Sequence, residues 1–356
     1  MKDILIIHTG GTIGTFARQN ARRLSGESIN ETKLILVENF AQSNSAFAKH
    51  YEKIKFSDYP YQNTTLSENM TLNKLSQLVK YIGSIKQDDY DGIVVLHGTD
   101  TLSYTAALLS FAFCNIQIPL ILVSGNRPPH DSLSNANANF TAAIELIWGG
   151  IAPNVYVTYQ NTDGVMRLFL GSCIMQSENY TDDFKSGSDK KHFEISGDIS
   201  AVLSLCYTLS QNRKNYPVAE YLGKDDLSEQ ALLIKPYTGL DYSIYSNYIE
   251  NGNTKGIVHG TYHSGTVSWQ GHDSVNSIGY LTTLCQKNDI PVFIAPSFLG
   301  KDQYETMNKV ADGTNAVLIN MTTEAAYAKL IIALSCKMTK QQIFEYMNTN
   351  INNEFN

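Results

Sequence analysis

Short apolar runs alternate with amphipathic stretches along most of the chain. The first run, Ile4 to Ile7, is too short to form the face of a helix, and it is followed by the glycine pair at positions 10 and 11. This pattern predicts a buried strand of a parallel sheet that ends in a sharp turn. A second stretch, GIVVLHGTDT from Gly92 to Thr101, has the same construction. Later runs in PLILV, NVYVTY, ALLIKPY, GIVHGTY and PVFIAPS predict further strands.

Helical spacing separates these runs. Residues 72–85 place apolar side chains on one face, and Thr71 precedes them as an N-cap. Residues 102–114, 139–148, 281–286 and 323–334 also predict helices. The alternation predicts an α/β fold with a larger N-terminal, doubly wound, mostly parallel sheet domain and a smaller C-terminal α/β domain. We place the first domain at residues 1–200, a linker at 201–228 and the second domain at 229–356.

Two polar segments interrupt the alternation. Residues 15–39 follow the first glycine turn directly, and they predict either an active-site loop or a plain surface loop. The carboxyl tail, ending NTNINNEFN, predicts a frayed end.

Composition narrows the class of protein. The 356 residues are 43% hydrophobic and 17% charged, which is typical of a globular enzyme. The net charge of −7, without a long basic run, argues against nucleic acid as a partner. The five cysteines are scattered, so neither a disulfide framework nor a metal site is predicted. With no signal peptide and no apolar run of membrane length, the cytoplasm is the expected compartment and no membrane partner is expected.

Hydroxyl and carboxylate side chains follow the two glycine-containing strands. They are Thr9, Thr12, Thr99, Asp100 and Thr101. Open α/β sheets bind ligands at the carboxyl ends of their strands. These side chains therefore predict a site for a small polar ligand.

The motifs TGGTIG at 9–14 and HGTDT at 97–101 together resemble the two signatures of the L-asparaginase family, the bacterial type with a threonine nucleophile. SENM at 67–70, GNRPP at 125–129 and MTTEAAYAKL at 321–330 extend the resemblance, which is nearest to the cytoplasmic type I branch. The resemblance implies an amidohydrolase that cleaves a side-chain amide through a threonine acyl-enzyme, releases ammonia and needs no cofactor.

Site residues follow from the same resemblance. It implies a catalytic set of Thr12, Thr99 and Asp100, and a substrate-binding set of Gly11, Ser67, Glu68 and Gly98. Either Thr12 or Thr99 is the attacking residue, and we favour Thr12. The resemblance also implies a homodimer or homotetramer, for which the apolar IIALSC at 331–336 and the region from Tyr237 to Tyr248 are the predicted surfaces. His8 and His97 are interpreted as packed residues and not as bases.

Three features depart from the family pattern, and one of them is Ser134-Asn135-Ala136 where the family has SDG. The family completes its relay with a lysine, but this chain has none between residues 87 and 184. Cys173 falls near the expected place, and positions 174–176 are the next candidates. No tyrosine lies between residues 15 and 39, where the family has one in its lid, and Arg18, Arg22 and Arg23 are present instead.

These departures leave two functions open. The first is an asparaginase-like amidohydrolase with a rewired relay, acting on asparagine or a related amide. The alternative is a catalytically impaired relative that binds an amino acid or amide as a sensor or subunit. A nucleotide-binding protein is disfavoured, because GGTIG lacks the G-x-G-x-x-G spacing.

Overall fold

The computed structural model describes residues 1–18, 21–24, 26–58, 61–188, 192–216, 218, 222, 225–297 and 304–356, and for positions 16–18, 21–24 and 26–29 it describes the backbone alone. The chain divides into two compact units. The larger comprises Met1–Gly223 with Ile351–Asn353, and the smaller comprises Lys224–Asn350 with Glu354–Asn356.

The larger unit is built on a sheet which, over the described residues, has seven strands in the order β4-β1-β5-β6-β7-β8-β9. The first five strands are parallel, whereas β8 and β9 are antiparallel to their neighbours. The strands are β1 (Lys2–His8), β4 (Ile54–Asp58), β5 (Gly92–Leu96), β6 (Leu120–Val123), β7 (Val155–Gln160), β8 (Met166–Leu170) and β9 (His192–Glu194). An antiparallel hairpin joins β2 (Thr15–Arg18) to β3 (Ala21–Leu24).

Helices connect these strands. They are α1 (Gly26–Ala41), α2 (Leu72–Gly83), α3 (Leu102–Ala112), α4 (Ala136–Gly149) and α5 (Ser200–Gln211). Thr71 caps α2 as predicted, since its side chain accepts a hydrogen bond from the Lys74 amide. The core lies between one face of the sheet and the helices α1 and α4, where Phe40 and Phe140 are fully buried.

The smaller unit contains a parallel sheet in the order β10-β11-β12-β13. Its strands are β10 (Ala231–Ile234), β11 (Gly256–His259), β12 (Val292–Ile294) and β13 (Val317–Leu318), and its helices are α6 (Ser246–Glu250), α7 (Ile278–Lys287), α8 (Glu305–Gly313), α9 (Thr323–Ser335) and α10 (Lys340–Met347). The predicted α/β class, with a larger mostly parallel sheet and a smaller α/β part, is confirmed. In the described part of the chain, no helix is long and apolar enough to cross a membrane.

Three predictions about local structure were wrong. Residues 15–39 form a hairpin and most of helix α1, not a long loop, because Leu36, Val37 and Phe40 supply a buried face within a polar sequence. The side chains of Arg18, Arg22 and Arg23 lie outside the described ones. Helix α5 covers residues 201–211 of the segment 201–228 that was predicted as a linker. The stretch IIALSC is no surface, since Ile331 and Ile332 are buried in α9.

The carboxyl tail is not frayed. Residues 351–354 are all buried, and residues 351–353 belong to the larger unit. There the Asn352 side chain donates to Asn154 Oδ1 at 2.9 Å and to the Ser110 carbonyl at 3.2 Å. Glu354 belongs to the smaller unit, where it pairs with the fully buried Lys329 at 2.5 Å. Hydrogen bonds thus let a polar sequence be buried, which composition alone does not reveal.

Candidate active site

The two glycine turns that follow β1 and β5 are in direct backbone contact. Gly11 has φ 77° and ψ −177°, a conformation essentially restricted to glycine. A Cβ atom on Gly11 would lie 2.1 Å from Gly98 Cα, so a side chain does not fit between the two turns at this position. The Gly11 amide also donates to the Thr65 carbonyl at 2.9 Å. Glycine at positions 11 and 98 is therefore required for the close approach of the two turns.

Ser67 joins the third motif to the second. Its hydroxyl donates to Asp100 Oδ2 at 2.6 Å and accepts from the Asp100 amide at 3.3 Å. The Thr101 hydroxyl donates to the Ser67 carbonyl at 3.0 Å. Ser67 is buried, whereas Glu68 beside it is exposed. The structure thus ties the Ser67 hydroxyl to the Asp100 carboxylate.

The two candidate nucleophiles sit on adjoining turns. Thr12 begins the short 3-10 turn Thr12–Gly14 directly after Gly11, and Thr99 directly follows Gly98. Both are half-buried. Thr99 and Asp100 line a cleft of 430 Å³ in the larger unit. Within the described part of the chain, neither threonine hydroxyl is hydrogen-bonded to another side chain.

Part of the cleft lining is a turn that sequence reasoning missed. The lining consists of Thr99, Asp100, Tyr159, Phe184 and residues 176–182. Tyr159 packs edge-on against Phe184, and its burial raises the pKa of the phenol to about 12. The signal in the sequence was Tyr180, an aromatic residue within the polar string SENYTDD.

Cys173 does not face Asp100, contrary to the idea that it occupies the place of the family lysine. It is fully buried in the core of the larger unit, and its thiol donates to the Asn353 carbonyl at 3.2 Å. Of the neighbouring candidates, Gln176 lines the cleft. No lysine lines the cleft among the residues that the structure describes. Lys185 instead pairs with the exposed Glu178 at 2.9 Å.

The two motif histidines are packed, as interpreted from the sequence. The fully buried His97 bridges the Gly98 carbonyl, 2.7 Å from Nδ1, and the Thr105 hydroxyl, 3.0 Å from Nε2. His8 Nδ1 accepts from the Gly10 amide at 3.0 Å. Burial lowers the pKa of each imidazole to about 4. Both rings are therefore neutral near pH 7 and hold the glycine turns in place.

Comparisons with known proteins identify the family of this chain. Residues 3–202 match the family model named Asparaginase, N-terminal. A glutamyl-tRNA(Gln) amidotransferase subunit from Methanococcus maripaludis is 33% identical over 228 residues, which are 62% of this chain and 53% of that protein. The chain thus spans about half the length of that relative. The amidotransferase subunit of the same name from Saccharolobus solfataricus is 25% identical over 369 residues, covering 99% of this chain and 76% of that protein.

Solved structures share the fold. L-asparaginase I from Vibrio cholerae is 22% identical with a TM-score of 0.73, and the alignment covers 100% of this chain and 99% of that one. The thermostable L-asparaginase from Thermococcus kodakarensis is 21% identical with a TM-score of 0.69, and the alignment covers 99% of each chain. With a family model that matches more than half of its residues, the chain belongs to the asparaginase family.

Proposed function

We propose that the chain hydrolyses the side-chain amide of asparagine or a related small amide through a threonine acyl-enzyme and releases ammonia. The observation that carries this proposal is the position of Thr99 and Asp100 on the wall of the cleft. A hydroxyl needs a proton acceptor to become a nucleophile. A carboxylate next to a threonine in a ligand-sized cleft supplies such an acceptor.

The proposed reaction has two steps. The threonine oxygen attacks the amide carbon, its proton passes by way of Asp100 to the departing nitrogen, the C–N bond breaks and ammonia leaves. Water then attacks the resulting ester, the acid leaves, and the threonine regains its proton. Ser67 orients Asp100 by donating to one carboxylate oxygen, and we assign the other oxygen to proton transfer. Gly11, Gly98 and Glu68 complete the proposed substrate contacts, with Glu68 accepting from a substrate ammonium.

The nucleophile is tested by comparing Thr12→Val with Thr99→Val. The resemblance favours Thr12, while Thr99 is the candidate that lines the cleft. Loss of a nucleophile costs on the order of 10³-fold or more in turnover. We expect that loss in one variant, with amide binding retained in calorimetry. Thr208→Val, at an exposed hydroxyl of α5, is the matched control for ammonia release.

Full activity of both threonine variants would contradict the acyl-enzyme mechanism. Rates are measured as ammonia release over a panel that includes L-asparagine and L-glutamine.

A second candidate function rests on the absence of a lysine from the described lining of the cleft. In this alternative the chain binds an amide or amino acid without hydrolysing it, as a sensor or as a subunit of a larger assembly. The similar proteins named as amidotransferase subunits support a role with a protein partner. Binding without ammonia release over the whole panel would favour this alternative.

We further propose that copies of this chain associate into a homodimer or homotetramer. The exposed Tyr237, Ile244 and Tyr248 offer an apolar surface on the smaller unit. A monomeric mass at micromolar concentration would contradict this assembly.

A further inference from the structure

Tyr180 stands out among the residues that line the cleft. Its side chain is fully exposed, with a relative accessibility of 108%, so it contributes no packing to the fold. Its backbone has φ 61°, which lies in the left-handed region that L-residues other than Asn, Asp and Gly seldom adopt. The fold therefore bears a backbone cost at Tyr180 and gains no buried surface from its ring.

The other non-glycine residues with positive φ have local explanations. Asn353 and Asp289 are types that tolerate this conformation. Lys337 follows the end of α9 directly, where helices commonly end in a left-handed residue, and it pairs with Asp225 at 2.7 Å. Tyr180 is the aromatic member of this set. Strained residues concentrate at ligand-binding sites, and Tyr180 lines the cleft that also holds Thr99 and Asp100.

The loop that carries Tyr180 is anchored at its base. The Met175 amide donates to the Lys185 carbonyl at 2.9 Å, and the Gly187 amide donates to the Cys173 carbonyl at 3.0 Å. Further along, the Asn161 side chain donates to the Phe184 carbonyl at 2.9 Å. These hydrogen bonds fix the two arms of the loop on the larger unit.

The tip of the loop is a closed turn. The Thr181 amide and hydroxyl both donate to the Glu178 carbonyl, at 3.1 and 3.0 Å. The Ser177 hydroxyl donates to the Thr181 carbonyl at 3.1 Å. The turn is thus closed by its own hydrogen bonds, and its Tyr180 lines the same cleft as Thr99 and Asp100.

From this geometry we infer that Tyr180 is a substrate-contacting specificity residue, whose ring packs against the bound amino-acid amide while the amide group faces Thr99 and Asp100. The orientation of the amide group toward Thr99 and Asp100 rests on the proposed function. The contact between the ring and the ligand requires only that the cleft binds the amide. An aromatic ring supplies a large, rigid contact with few rotatable bonds, so ordering it on a ligand has a low entropic cost. A bound ligand would bury the Tyr180 ring surface that the folded protein leaves exposed.

Three variants separate the ring, the hydroxyl and the backbone. Tyr180→Gly removes the ring and relieves the left-handed backbone, so it should unfold at the same or a higher urea concentration than the parent. Tyr180→Ala removes the ring and retains the strain. Tyr180→Phe retains the ring and loses the hydroxyl. Lys337→Gly, which relieves a similar backbone conformation (φ 53°) in the smaller unit, is the matched control for Tyr180→Gly.

The measurements are KM and kcat for ammonia release from L-asparagine and L-glutamine, and calorimetric binding of the same amides to a threonine variant that no longer turns over. We expect Tyr180→Gly and Tyr180→Ala to raise KM and Kd about tenfold, an effect typical of a lost aromatic contact, and to change kcat less. Tyr180→Phe and Lys337→Gly should stay within about twofold of the parent.

The outcomes distinguish this inference from the proposed function. If the parent releases ammonia and Tyr180→Gly has the parental KM and Kd, Tyr180 has no substrate contact although the proposed function stands. If no ammonia is released but binding weakens in Tyr180→Gly, the proposed function fails while this inference stands. A Tyr180→Phe variant as weak as Tyr180→Gly would overturn the assignment to the ring, and a parent that binds neither amide would overturn both proposals.

Discussion

Gly98→Ala is the sharpest test of how the glycine turns build the site. A Cβ atom at position 98 would lie 2.3 Å from Ser67 Oγ, 2.6 Å from Ser67 Cβ and 2.8 Å from Gly11 Cα. Carbon and oxygen atoms in contact are normally about 3.5 Å apart, so one partner must move by roughly 1 Å. Gly11 is held by Thr65, which leaves the Ser67 side chain to move away from Asp100.

The magnitude follows from that displacement. Overpacking of a close-packed site costs about 1–3 kcal/mol of unfolding free energy. A displacement of roughly 1 Å in a catalytic group costs about 10²-fold in rate. We therefore expect Gly98→Ala to lower both the unfolding free energy and the rate of turnover by these amounts. Urea unfolding followed by circular dichroism measures the first, and ammonia release in the same buffer measures the second.

Two further variants make the result interpretable. Gly83→Ala is the control, since a Cβ atom there meets only Phe113 Cε1 at 3.9 Å, and it should leave stability unchanged or slightly higher. Adding Ser67→Gly to Gly98→Ala removes the two Ser67 contacts but leaves Gly11 Cα 2.8 Å from the new methyl group, so it should recover part of the stability without recovering rate. A Gly98→Ala protein with parental stability and parental turnover would refute the reasoning.

Two other predictions follow from buried side chains. Cys173→Lys should lower the unfolding free energy by several kcal/mol without raising asparagine hydrolysis, because it puts an unpaired charge into the core. Gln176→Lys puts the charge on the cleft wall and should raise the rate of asparagine hydrolysis. The opposite order of the two rates would show that position 173 faces the site after all. Burial lowers the pKa of His8, His97 and His259 to about 4 from an ordinary value of about 6.5. Between these two pH values the unfolded state binds more protons than the folded state. The unfolding free energy should therefore fall as pH falls through this range, by up to about 3 kcal/mol for each histidine. Urea unfolding at pH 7, 5.5 and 4.5 measures the slope, which should be shallower in His97→Gln; a stability that stays level down to pH 4.5 contradicts the assignment.

Sequence patterns predicted the parts of the site in which a motif directly follows a parallel strand. The apolar runs before Gly10 and Gly98 end in turns at the same edge of the sheet, because parallel strands bring their carboxyl ends together. The orientation of Cys173 was beyond prediction, since an offset of a few residues in a short loop decides which side chain meets the core. Tyr180 was missed for a related reason, because the sequence shows an aromatic residue in a polar string but not the backbone conformation and exposure that set it apart.

The burial of residues 351–353 in the larger unit bears on the order of events during synthesis. The first 223 residues leave the ribosome well before these three, and the whole of the smaller unit's main segment is made in between. Until then Cys173, Asn154 and Ser110 lack the partners that the tail provides. The larger unit therefore cannot complete its core while it is being made, and its last step of folding must come after the smaller unit has been synthesised. Synthesis of residues 351–353, and not that of the motifs, sets the earliest moment at which this core can close.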